Sequence, residues 1–109
     1  MKGEANISRG FEQALSEQGE QLYILRLYVS GSSPKSIEAI TNINSICKEH
    51  LRGRYELEVV DIYQQPELAT EEQVVAAPML VKKLPPPFRR LIGDLSNTSQ
   101  TLSSLGLST

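Results

Sequence analysis

The sequence predicts an α/β domain with the element order β-α-β-α-β-β-α, and three observations carry that prediction. Leu22 to Val29 (LYILRLYV) is a continuous apolar run broken by one charge, Arg26. That is the pattern of a strand covered on both faces. Apolar residues then recur at spacings of three or four from Ile37 to Leu51, which draws one stripe along an amphipathic helix. Tyr55, Leu57 and Val59 next alternate with Glu56 and Glu58, the period of a half-buried strand. The two strands lie about 30 residues apart, as a parallel crossover requires.

The punctuation between these elements agrees with them. Ser30-Gly31-Ser32-Ser33 ends the first strand. Ser33 can cap the helix with Pro34 at its first position, where a missing N–H costs nothing. The expected stripe is Ile37, Ile40, Ile43, Cys47 and Leu51, and Gly53 is the expected left-handed stop. Lys48, His50, Arg52 and Arg54 gather where cations complement the helix dipole. His50 reads as a charged or capping group at that helix end. The second strand is expected to run from Tyr55 to Tyr63, and Pro66-Glu67 opens a short second helix reaching about Gln73.

Val74 to Val81 is apolar again but contains Pro78, which cannot donate to a central ladder, so the third strand begins near that proline. Pro85-Pro86-Pro87 predicts an extended, rigid segment. Phe88 to Ile92 is a short fourth strand closed by Gly93. Ser96 or Asn97 caps a last helix carrying Leu102 and Leu105. Residues 1–20 form an N-terminal extension, mobile or docked, or a short helix with Ile7, Phe11 and Leu15 on one face. Residues 21–109 then form one domain.

The chain has 109 residues, 39% apolar and 22% charged, with a net charge of −2. It is long enough to bury a modest core and too near neutral for generic attraction to nucleic acid or membrane. Charge is segregated along it. Six acidic and no basic residues lie between Glu56 and Glu72, and four basic and no acidic residues lie between Gln73 and Gly93. Two faces of opposite sign are expected. No 18-residue apolar run and no signal-type N-terminus is present. One cysteine, Cys47, permits no intrachain disulfide, so a reducing, cytoplasmic setting is expected.

Enzymatic chemistry and cofactors are not expected. A metal site needs three or four ligands, and the chain holds one histidine and one cysteine. No phosphate-binding or dinucleotide fingerprint occurs. Asp61 and Asp94 read as turn or strand-end residues, and Gly31 and Gly93 as tight backbone turns. Lys82, Lys83, Arg89 and Arg90, flanking the triple proline, are the candidate partner-binding residues. A stiff segment presents them at low entropic cost, and arginine forks onto carboxylates. Nucleic acid is disfavoured as that partner because no aromatic stacking platform accompanies the cations.

The element order resembles that of thioredoxin. Ala76-Ala77-Pro78-Met79-Leu80 stands where that fold carries a cis-proline at the head of its third strand. Leu91 to Ser96 stands at the glycine turn before its last helix. Disulfide exchange needs Cys-x-x-Cys at the N-terminus of the first helix. Here the place reads Ser30-Gly31-Ser32-Ser33-Pro34-Lys35-Ser36, which excludes that chemistry and leaves Cys47 as core packing.

Longer stretches resemble the KaiB family of circadian clock proteins. They are Tyr23 to Gly31 with Ser33-Pro34, then Val59-Val60-Asp61-Ile62 with Pro66-Glu67-Leu68-Ala69. The most specific is Leu84-Pro85-Pro86-Pro87-Phe88-Arg89-Arg90-Leu91-Ile92-Gly93-Asp94-Leu95-Ser96. The resemblance covers about residues 22–107. It implies a non-enzymatic regulator that binds a KaiC-type ring ATPase, displaces SasA-like and captures KaiA-like factors. It also implies an alternative ground-state fold of the second half, with a homo-oligomer, dimer or tetramer, as one available assembly. Glu38, Glu58 and Gln73 stand where the family carries basic partner-gripping residues, and Ser103 to Leu107 departs from its last helix. A divergent partner is therefore implied. The second reading is a stand-alone adaptor of the same domain type in two-component or stress signalling.

Overall fold

The computed structural model describes residues 21–107, so the expectations for residues 1–20 lie outside it. The elements are β1 (Tyr23–Val29), α1 (Pro34–His50), β2 (Tyr55–Asp61), α2 (Pro66–Glu71), β3 (Met79–Leu84), β4 (Arg89–Ile92) and α3 (Thr98–Ser104). They form one mixed sheet in the order β2-β1-β3-β4. β1 and β2 are parallel, while β3 runs antiparallel to β1 and to β4.

Alternation along β1 divides its side chains between two cores of unequal size. Tyr23, Leu25, Leu27 and Val29 point to the larger one, with Ala39, Ile43, Ile46 and Cys47 of α1, and Leu102 and Leu105 of α3 and its cap. Tyr28 points to the other face and meets Val60, Met79 and Val81, with Ile62, Leu68 and Val74 partly covering them. Period two places alternate residues on opposite faces, so the apolar run is explained by cover on both sides. The cover is uneven, because α2 contributes no buried residue.

The helix starts as its sequence requires: the Ser36 N–H donates to Ser33 Oγ at 3.3 Å, and Pro34 opens the first turn. Its buried stripe differs from the expected one. Ser36 and Ala39 are buried, whereas Ile37 is 51% exposed. The reason is local: Ser36 Oγ accepts the Ser30 N–H at 3.0 Å, which turns that face inward and Ile37 outward. At the far end the Arg54 guanidinium donates to the His50 carbonyl at 3.2 Å, and Gly53 has φ +77°.

β2 ends at Asp61, two residues short of the expected limit. Asp61 Oδ1 accepts the Tyr63 N–H at 2.9 Å, so an Asx turn replaces the ladder. The triple proline is not a straight rod. Pro85–Phe88 joins antiparallel β3 and β4, and the chain reverses there. α3 is capped by Asn97, which accepts the Gln100 N–H at 3.0 Å. Its far end is tied to the sheet by Tyr23, whose hydroxyl donates to the Leu105 carbonyl at 2.9 Å.

Leu27 is fully buried at the centre of the larger core. Leu27→Ala removes packed methyl groups and leaves a cavity, so it should cost about 3 kcal/mol. Chemical denaturation should show a lower midpoint at unchanged slope, and a midpoint within error of the parent would contradict this packing.

Candidate functional site

Three places in the fold bring candidate residues together. The first is the β1–α1 turn. Ser33 Oγ donates to Ser36 Oγ at 2.9 Å and lies 3.1 Å from Ser30 Oγ. Gly31 has φ +58°, a left-handed conformation that a side chain would strain. Its N–H donates to Asp61 Oδ1 at 3.2 Å, which ties the turn to the end of β2. An added Cβ would meet only the Tyr63 ring at 3.7 Å, so conformation rather than space calls for glycine here. These hydroxyls satisfy one another and no sulfur is near. Cys47 is fully buried in the larger core, and burial pushes its thiol up to about 11. It stays protonated and packed, without the exposed thiolate that redox work needs.

The second place is the end of the sheet where β3 begins. The Ala77–Pro78 bond is cis, and the Pro78 carbonyl accepts the Gly93 N–H at 3.0 Å. Gly93 has φ +121°. Pro78 and Gly93 are thus direct partners across β3 and β4, while Gly31 belongs to the other turn. Asn42 of α1 donates to the Asp94 carbonyl at 2.8 Å and holds the loop after Gly93 against the long helix.

The third place is the set of four cations, and the structure separates them. Lys82 is only 2% exposed, which corrects its grouping with surface charges. Its side chain lies on the α1/α3 face of β3, with its ammonium 4.0 Å from where a Cβ on Gly106 would stand, beside the C-terminus of α3. Desolvation holds its pKa below the usual lysine value, helped by the neighbouring Arg89 charge. Lys83, one residue on, points to the opposite face and pairs with Glu72 at 3.0 Å. Arg89 and Arg90 are exposed on β4, opposite Lys82 and Val81. The Arg90 guanidinium lies 5.4 Å from the Phe88 ring centre. The two faces of opposite sign become two opposite edges: β2 carries Glu56 and Glu58, and β4 carries Arg89 and Arg90.

Sequence reasoning missed one cluster, on the thinly covered face. Glu72, just after α2, accepts from the Tyr28 hydroxyl at 3.1 Å and from Lys83 at 3.0 Å. Arg26 donates to Tyr28 Oη at 3.2 Å and to Glu58 Oε1 at 3.0 Å. The network crosses β2, β1, β3 and the end of α2, and it anchors a helix with no fully buried residue. Its one sequence signal is Arg26, the lone charge in an apolar strand. Its partners depend on strand register, which the sequence does not display.

Burial opposes ionisation of Glu72, but hydrogen bonds from Lys83 and Tyr28, with the charges of Lys83 and Arg26, outweigh it. Its pKa falls below the usual carboxylate value. A carboxylate lowered on folding stabilises the fold above its unfolded pKa, and that stability is lost as pH drops through the folded value. Stability should therefore decline below about pH 4.5, and Glu72→Gln should flatten this acid limb while lowering stability at neutral pH. Urea midpoints measured across pH check this, and parallel curves for parent and variant would refute it.

A protein-family model for the KaiB domain matches residues 26–107. Circadian clock protein KaiB3 of Synechocystis sp. is 46% identical over 84 residues, 77% of this chain and 82% of that protein. Circadian clock oscillator protein KaiB of Thermostichus vulcanus is 46% identical over 85 residues, 78% of this chain and 79% of that protein. Among solved structures, the N-terminal domain of Synechococcus elongatus SasA superposes with a TM-score of 0.64 at 27% identity, covering 79% of this chain and 85% of that one. Fasciola hepatica thioredoxin gives a TM-score of 0.64 at 18% identity, covering 91% and 92%, which establishes the thioredoxin-like fold. With that fold, hydroxyls in place of a cysteine pair, and a family match across nearly all the described residues, this chain belongs to the KaiB family of circadian clock proteins.

Proposed function

We propose that the chain is a non-enzymatic clock-type regulator that binds a KaiC-type ring ATPase and modulates its phosphorylation or output, with Arg89 and Arg90 among its contacts. The observation that carries this reading is the shared backbone with the N-terminal domain of SasA. Two clock proteins with one fold can present the same surface to a third, and their binding is then mutually exclusive. KaiA-like factors are the expected further partners. The β1–α1 turn supports binding over catalysis, because its hydroxyls are committed to one another. Of the four cations, the two on β4 suit a contact role. Lys82 is buried and Lys83 is paired.

Glu38 is exposed on α1 and Glu58 on β2, and Glu58 is already paired with Arg26. An acidic partner surface would be repelled by Glu38. This favours a ring with a compensating charge, and it keeps the adaptor reading in play as the second one.

Size-exclusion chromatography with the cognate KaiC-type ATPase, sampled over hours, should show co-elution with the ring. Slow growth of the complex would mark a binding-competent state of low population, as a second fold or a tetrameric form would produce. Arg89→Ala with Arg90→Ala should weaken the complex by roughly tenfold, about 1.4 kcal/mol. A chain that never joins such a ring would point to the adaptor role, and unchanged affinity in the double variant would remove β4 from the interface.

A further inference from the structure

β4 is the last strand of the sheet, and nothing pairs with its outer side among the described residues. Its bonding register says which groups are left free. The Gly93 N–H donates to the Pro78 carbonyl, so Gly93 bonds toward β3 through that single contact. Antiparallel pairs alternate between bonded and non-bonded. Leu91 and Arg89 therefore bond to Leu80 and Lys82, while Arg90 and Ile92, opposite Val81 and Met79, turn their N–H and C=O groups outward.

A groove of about 330 Å³ runs beside this strand, between Arg90–Ile92 and the Gln100, Thr101 and Ser104 side of α3. A strand edge with free backbone groups, lying next to a helix, is the geometry in which sheets accept an added extended segment. The side chains define its chemistry. Arg89 and Arg90 form no ion pair among the described residues, and as consecutive strand residues they project to opposite faces. Phe88 and Ile92, on the Arg90 face, are 48% and 62% exposed. Asp94 closes the groove beyond β4 and excludes a carboxylate from that end.

We propose that the β4 edge, with the groove beside α3, takes an extended acidic segment of a partner protein as a fifth strand. Two adjacent acidic residues of that segment meet Arg89 and Arg90, one on each face, and an apolar residue meets Ile92. A second copy is disfavoured through β4 itself, since like cations would face each other. The acidic β2 edge does not compete for such a segment. This rests on the reading above only in taking Arg89 and Arg90 as contact residues, and it needs no ring ATPase to be tested.

The probe is a short capped peptide of alternating valine and threonine with a central Glu-Glu pair, titrated into the isotope-labelled full chain and followed by NMR. The expected result is new exchange protection at the Arg90 and Ile92 amides. Binding should weaken by about tenfold for Arg89→Ala with Arg90→Ala, and it should vanish for a Lys-Lys peptide or for one N-methylated on alternate amides. Equal binding of the N-methylated peptide would show charge attraction without strand addition. Protection at Leu57 and Val59 of β2, self-association of the chain in place of peptide uptake, or no binding at millimolar peptide would each overturn the proposal. Loss of ring binding with peptide uptake intact would instead count against the ring reading alone.

Discussion

β1 is hydrogen-bonded on both sides and covered on both faces, and the rest of the fold is arranged around that burial. Parallel β2 and antiparallel β3 supply its backbone partners. α1 and α3 cover Leu25 and Leu27, while Tyr28 serves the other face. Because β1 accommodates little polar surface, its one charge must be answered locally. Arg26 is answered by Glu58 on β2 and by Tyr28, which hands the interaction on to Glu72. Seventeen residues of α1 bury one long stripe on one side. The other side has only six residues of α2, none buried. A polar network therefore supplements the smaller apolar cluster on that face. Such networks hold only while each member stays paired, so this face depends on the ionisation of Glu72 in a way the larger core does not.

The same architecture leaves the turn before α1 without thiol chemistry. A thioredoxin-like frame concentrates reactivity in the turn before α1, where cysteine thiols would lie near a helix N-terminus. Here Ser30, Ser33 and Ser36 occupy that turn and close a ring of hydroxyl contacts. Cys47 lies further along the helix, inside the core. What remains available is shape and charge: an acidic edge at β2, a basic edge at β4, and scattered apolar residues such as Tyr63, 73% exposed, and Ile92. Edge strands with cations resist pairing with copies of themselves and attract chains of opposite sign.

Much of this was legible in the residues. The order of elements, the Ser33 cap, the Pro78 start of β3 and the Leu102–Leu105 face of α3 follow from period, capping and proline chemistry. These act over a few neighbouring residues and need no knowledge of the rest of the chain. The KaiB assignment was legible too, through the stretch from Leu84 to Ser96. Local rules misjudged α1, where Ile37 fits the helical period yet faces solvent because Ser36 is drawn in by the Ser30 backbone. They also misjudged Pro85–Pro87, whose direction is set by the pairing of β3 with β4.

The four cations show where sequence stops. Their clustering around the triple proline is a property of the chain, and from it the sequence by itself established a basic segment in the second half. Only the sheet decided that Lys82 and Lys83 face opposite ways, one buried beside α3 and the other held by Glu72. It likewise left Arg89 and Arg90 on a free edge. The physical reason is that a side chain's face follows from its own strand's alternation. Whether that face is buried, paired or open is set by elements up to 82 residues away, as the bond from Tyr23 to Leu105 shows.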